Sequence, residues 1–228
     1  MTRFYRVAVA AVAIVGAAAL VAAQTPSGVL NKLEVQKLVA AETPEASVAL
    51  AAHFDALADR YLADAANHKA MGQAYKANAN RSVVTSAADH CDRLAKLAGD
   101  SAAAARELAK YHRDLSGGKA AVLPKGAAAL QGGKGAPDPT AEQLHHLAMM
   151  ARTRADHLSL QEYFATLAKK NTAEAEDYTT MAKAYRAGAH KGTYDAAVTF
   201  DRLAKIARDA AKEAAEAASL HKQLANIG

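Results

Sequence analysis

The sequence predicts an all-α protein: an antiparallel four-helix bundle built from two tandem long helical hairpins, with two short additional helices. Three observations carry that expectation. The chain of 228 residues is rich in alanine, lacks tryptophan and has only 5% aromatic residues, a composition suited to long helices. Apolar residues recur in alternating steps of three and four, which lines one narrow helix face. The third observation is an internal repeat. Residues 43–79 match 153–189 at 12 of 37 positions, and residues 84–115 match 193–224 at 15 of 32. DRLAK at 92–96 returns whole at 201–205, an order that abundant alanine alone does not produce.

The chain opens with the pattern of a secretion signal. Arg3 and Arg6 precede an uncharged apolar run from Val7 to Ala22, and Val21-Ala22-Ala23 supplies the small residues for cleavage after Ala23. The run is alanine-dominated and shorter than the roughly 20 strongly apolar residues of a membrane span. Residues 1–23 are therefore read as a signal peptide, and the remainder as exported, periplasmic or extracellular, with no integral span after cleavage.

Residues 24–115 follow as a short leading helix, over 29–41 with Ser27 as its cap, and a first hairpin. Thr43-Pro44-Glu45 sets an N-cap, a first-turn proline and an early acid in order. The first arm carries its seam through Leu50, Phe54, Leu57, Tyr61, Asp64, His68, Met71 and Tyr75. Asn78-Ala79-Asn80 marks the tip. The returning arm continues through Ala87, Cys91, Leu94, Ala98, Ser101, Ala105, Leu108, His112 and Leu115. Residues 116–139 are rich in glycine and proline and read as a tether. Residues 140–228 repeat the plan, with Thr140 capping a second short helix and Gly188–Gly192 at the second tip. Neither hairpin alone buries enough surface to be stable in water. The duplication is expected to complete one core, with both short helices at one end of the bundle.

Composition narrows the chemistry. The net charge of +5 falls to +3 once Arg3 and Arg6 are removed, too little and too dispersed for nucleic-acid binding. Cys91 is the only cysteine, so no internal disulfide forms. No Cys-x-x-Cys-His haem attachment, phosphate loop or nucleophile elbow occurs. Glu142-Gln143-Leu144-His145 has Glu-x-x-His spacing but no counterpart in the first repeat, which argues against a di-iron centre.

Two sets of metal-capable residues stand out. His90 and Cys91 lie across the first hairpin from His68 and Met71, a soft donor set suited to copper, whereas the second repeat has Thr199 and Phe200 there. His112 and His221 hold equivalent seam positions, His53 and His157 lie across from them, and the short helix adds His145, His146, Met149 and Met150. The expectation is that pseudo-symmetry gathers these imidazoles at one end. Each set also has a plain structural role, as core filling or as cations at helix ends. The outer faces alternate in sign, Lys212-Glu213, Glu216 and Lys222 among them, as solvated helix surfaces do.

The expected protein is a non-enzymatic structural or interaction module of the cell envelope. It has no cofactor, and an unidentified protein partner or self-association. The alternative is a periplasmic metal-binding bundle handling copper or zinc through His68, Met71, His90 and Cys91, or through His112, His157 and His221.

Overall fold

A computed structural model describes residues 28–78, 81–120, 122, 139–188 and 193–227. The expected signal peptide, Ser27, most of the tether and the outermost residues of both tips lie outside the described residues. The described chain is all helical: α1 (Lys32–Ala41), α2 (Pro44–Ala77), α3 (Arg81–Leu115), α4 (Ala141–Met150), α5 (Arg154–Ala187) and α6 (Thr193–Ile227). The architecture is a four-helix bundle, α2, α3, α5 and α6, with α1 and α4 as short additions. None of the described helices is long and apolar enough to cross a membrane.

Local chemistry starts each helix where side chains can satisfy its first free N–H groups. Thr43, Thr140 and Thr153 each accept from the backbone N–H three residues on, and at α4 and α5 the reciprocal bond completes a capping box. α1 begins later than expected. Asn31 is its cap, accepting from the Glu34 N–H at 3.0 Å, because Val29 and Leu30 are buried against the bundle. The Leu30 N–H donates to His53 Nδ1 at 2.9 Å rather than entering a helix.

Cross-helix pairs fix the topology. Within the first hairpin Lys76 pairs with Asp92 and Arg113 with Asp55; within the second, Arg186 pairs with Asp201. Between hairpins, His90 meets Glu213 and Arg202 meets Glu107, so α3 and α6 run antiparallel. Since each hairpin is itself antiparallel, α2 and α5 also run antiparallel, with Arg60 meeting Glu174 between them. The tip of each hairpin therefore lies beside the open end of the other. The repeat axis stands across the bundle and exchanges its two ends.

That axis corrects the placement of the short helices, which sit at opposite ends. α1 packs on the open end of the first hairpin and reaches α5 through Lys32–Asp177. α4 packs against the first hairpin's tip, where Asn78 Nδ2 donates to the Ala148 and Ala151 carbonyls, both at 3.3 Å. Any operation exchanging the hairpins must also exchange their leading helices, which puts one at each end.

The two interfaces between hairpins differ. α3 and α6 come into close backbone contact, and both helices carry buried small residues such as Ala87, Ala105, Ala207, Ala214 and Ala217; side-chain size at a helix contact sets its distance. α2 and α5 do not come into backbone contact. Long side chains bridge them: Arg60 Nη2 donates to Glu174 Oε1 at 2.6 Å, Tyr61 Oη donates to Glu174 Oε2 at 3.2 Å, and the Tyr61 and Tyr178 hydroxyls are bonded. The repeat equivalents of this layer are Lys170, Asp64, Asn171 and His68.

Because each seam is covered by the other hairpin, residues 24–115 expressed alone are expected to lack a cooperative monomeric melt. Circular dichroism with sedimentation checks this; a monomer melting sharply, like the whole chain, would show that one hairpin suffices.

Candidate metal centre

His90 lies near the start of α3, and the close α3–α6 approach brings it to the α6 surface. Glu213 and Glu216 stand there three residues apart, on one helix face. One donor atom from each of the three residues lies within 4.8 Å of the other two. His90 Nδ1 and Glu213 Oε1 are in direct contact, with side chains only 12% and 13% exposed. Arg93, one turn beyond His90, donates from Nε to Glu213 Oε1 at 2.6 Å, and its Nη2 lies 3.0 Å from His90 Nδ1. Glu216 is the exposed member, 3.9 Å from Lys212 Nζ.

This cluster overturns the expectation of a chain with no cofactor group: an imidazole and two carboxylates have gathered with ligand-like geometry. It also corrects the reading of Glu213 and Glu216 as ordinary solvated charges. A tetrahedral zinc ion, with N and O ligands at about 2.0–2.2 Å, has ligand–ligand edges of roughly 3.4 Å. His90 Nδ1 and Glu213 Oε1, now in contact, would part to that spacing to admit the ion. The donor set is N, O, O, borderline to hard, and so suits Zn(II) or Cu(II) rather than the soft Cu(I).

The cluster occupies only one of the two repeat-related places on the α3–α6 interface. Repeat equivalents of His90, Glu213, Glu216 and Arg93 are Thr199, Ala104, Glu107 and Arg202. Both places carry an arginine and a glutamate, but Arg202 bonds Glu107 whereas Arg93 bonds Glu213, and the imidazole and Glu213 have no counterpart at the second place. That coincidence was the signal available in the sequence. Two departures from the repeat, 123 residues apart, fall at the same place only once α3 and α6 are paired.

The other sequence-predicted residues lie elsewhere. Met71 and Cys91 are fully buried in one core cluster with Tyr75 and Leu94. Burial, reinforced by the Asp92 charge, pushes the Cys91 thiol up to about 12, so it holds its proton and lacks the thiolate a metal needs. His68 is buried, with its Nδ1 unpartnered, and burial followed by the Lys170 charge lowers its pKa to about 4. His90 is directed to α6. Among the described residues, no group of three His, Cys, Asp or Glu donors includes His68 or Cys91.

His157 and His221 do come together, Nδ1 to Nδ1 at 3.2 Å, but His112 is not with them. The axis across the bundle places His112 and His221 at opposite ends in matching settings. His221 shares a 2.9 Å hydrogen bond with the Tyr75 hydroxyl and stacks on Phe164; His112 shares a 2.6 Å bond with the Tyr185 hydroxyl and stacks on Phe54. Tyr75 and Tyr185 are themselves repeat equivalents, as are Phe54 and Phe164. These histidines are hydrogen-bonded core residues. Burial is the main cause lowering His53, His112 and His221 to about 3.

No protein-family model, curated protein or solved structure matches this chain. The class of protein therefore rests on the fold and this cluster: a helical bundle with a candidate metal centre between its halves.

Two outcomes follow from the buried groups. The unfolded chain protonates its histidines near pH 6.5, whereas the folded His53, His68, His112 and His221 stay neutral down to pH 3–4. Their contribution is full above pH 6.5 and is lost as pH falls towards 4, at up to about 1.4 kcal/mol per pH unit for each imidazole. Tm should fall steadily between pH 6.5 and 4.5, and less steeply in a His112→Gln/His221→Gln variant; a flat wild-type profile contradicts the burial. Cys91 should react with a thiol reagent only on unfolding, and Cys91→Ala should cost about 1–3 kcal/mol in a denaturant titration.

Proposed function

We propose that this chain is an exported, non-enzymatic helical bundle that binds a borderline divalent cation, Zn(II) or Cu(II), through His90, Glu213 and Glu216. One observation carries the reading: three donors from different halves of the chain converge within 4.8 Å, two of them shielded from solvent. His90 supplies Nδ1, Glu213 a carboxylate oxygen in the interface, and Glu216 an exposed carboxylate that closes on the ion. Three protein ligands leave a coordination position for water or a further donor, which fits an ion that is taken up and released.

The N-terminal pattern of Arg3, Arg6 and the run Val7–Ala22 supports export and a periplasmic or extracellular setting. The sequence offers no nucleophile–base motif, which supports binding rather than catalysis. An interaction module without a ligand has only the mixed charges of the outer faces in its favour, and these need no partner.

Equilibrium dialysis of chelator-stripped protein should give one Zn(II) or Cu(II) per chain at micromolar Kd or tighter. His90→Ala and Glu213→Gln should each weaken binding by about 10–100-fold, the size of effect expected when a site loses a ligand or its close support. Thr199→Ala and Cys91→Ala should leave it unchanged. Stoichiometric binding that survives both ligand substitutions would move the ion elsewhere; no binding tighter than about 1 mM would end the reading.

A further inference from the structure

His90 Nδ1 and Glu213 Oε1 are in contact; an Nδ1–H donates to the carboxylate there, whereas a metal needs both atoms as lone-pair donors. A cation beside these atoms competes with an incoming metal ion for them. Arg93 supplies the cation. Its Nε lies 2.6 Å from Glu213 Oε1 and its Nη2 3.0 Å from His90 Nδ1, so one planar fork engages two of the three donors. The third, Glu216, answers to Lys212.

The repeat shows that this is a diversion. In the other half the equivalent arginine, Arg202, bonds Glu107, the equivalent of Glu216. Arg93 instead reaches Glu213 across the interface, a residue that replaces an alanine of the repeat. His90 and Glu213 are nearly covered, while the Arg93 side chain is 51% exposed. It can swing into water without opening the bundle, whereas the donors stay where the helices hold them.

We propose that Arg93 is a resident competitor for the ion: it occupies the donors in the metal-free protein and must be displaced when a metal enters. It thereby sets the affinity and the class of ion admitted. This inference rests on the metal-binding reading above. A successful ion must replace two charge-assisted contacts with bonds to an imidazole nitrogen and a carboxylate. Zn(II) and Cu(II) favour nitrogen and can do so; Mg(II), which takes oxygen ligands and sheds water reluctantly, cannot.

The test is Zn(II) affinity by chelator competition for the full chain and for Arg93→Ala, Arg93→Lys and Arg202→Ala, with helicity recorded for each. Removing the competitor should tighten Zn(II) binding by about fivefold, the upper value of a partly exposed ion pair. Lysine keeps the charge but cannot span both donors, so Arg93→Lys should also bind more tightly than wild type. Arg202→Ala, which removes only the equivalent pair in the other half, should match wild type. If wild type binds Zn(II) and neither Arg93 variant binds more tightly, the competitor role is wrong and the metal site stands. If wild type and the folded Arg93→Lys protein both fail to bind, the metal reading falls and this inference with it. A tightening equal in Arg202→Ala would reduce the effect to net charge and overturn the specific role.

Discussion

The α3–α6 interface is the constraint on which the rest of the structure depends. Its alanines let two long helices from different halves run antiparallel at close range, and that single pairing sets the relation between the hairpins. Once α3 and α6 are antiparallel, the tip of each hairpin must lie beside the open end of the other. The leading helices then go to opposite ends, and equivalent residues are carried to opposite ends with them. Larger side chains along this seam would push the helices apart, loosening the contact that joins His90 to Glu213.

On the other side of the bundle the spacing is held by polar groups. Arg60, Tyr61, Glu174 and Tyr178 reach across a gap that small residues would leave open. A buried polar layer is costly unless its members satisfy one another. Here they share hydrogen bonds, while the Arg60 Nε and, in the equivalent layer, His68 Nδ1 stay unpartnered. The two layers are related by the repeat yet differ in every residue. Such a layer penalises a slipped register, so the halves, though similar, do not pair in arbitrary alignment. The Tyr75–His221 and Tyr185–His112 bonds tie the ends in the same manner, each joining one hairpin to the other.

Against this near-symmetry the candidate metal centre stands out, because the repeat-related place lacks its imidazole and one of its carboxylates. Both places carry an arginine and a glutamate across the α3–α6 boundary. The first adds an imidazole on one helix and a carboxylate on the other, converting an ordinary surface ion pair into a convergent donor set. The same helix contact that builds the core thus holds the donors, and the site needs no loop to form it.

The sequence by itself determined the helices, their seams and the repeat, because these follow from local preferences and from a period of three and four residues. Thr43 and Thr140 announced two helix starts, and the seam from Leu50 to Tyr75 proved buried save for Asp64. Asn31 was missed as a cap because the competing use of Leu30, donating to His53, is a tertiary contact. The direction of the repeat axis was beyond the sequence, since a seam pattern reads alike whether the hairpins align or oppose. That one choice separated His112 from His221 and brought Glu213 to His90. Only the tertiary structure decided it, because donor convergence depends on how two distant helices are staggered, and no spacing along the chain encodes that.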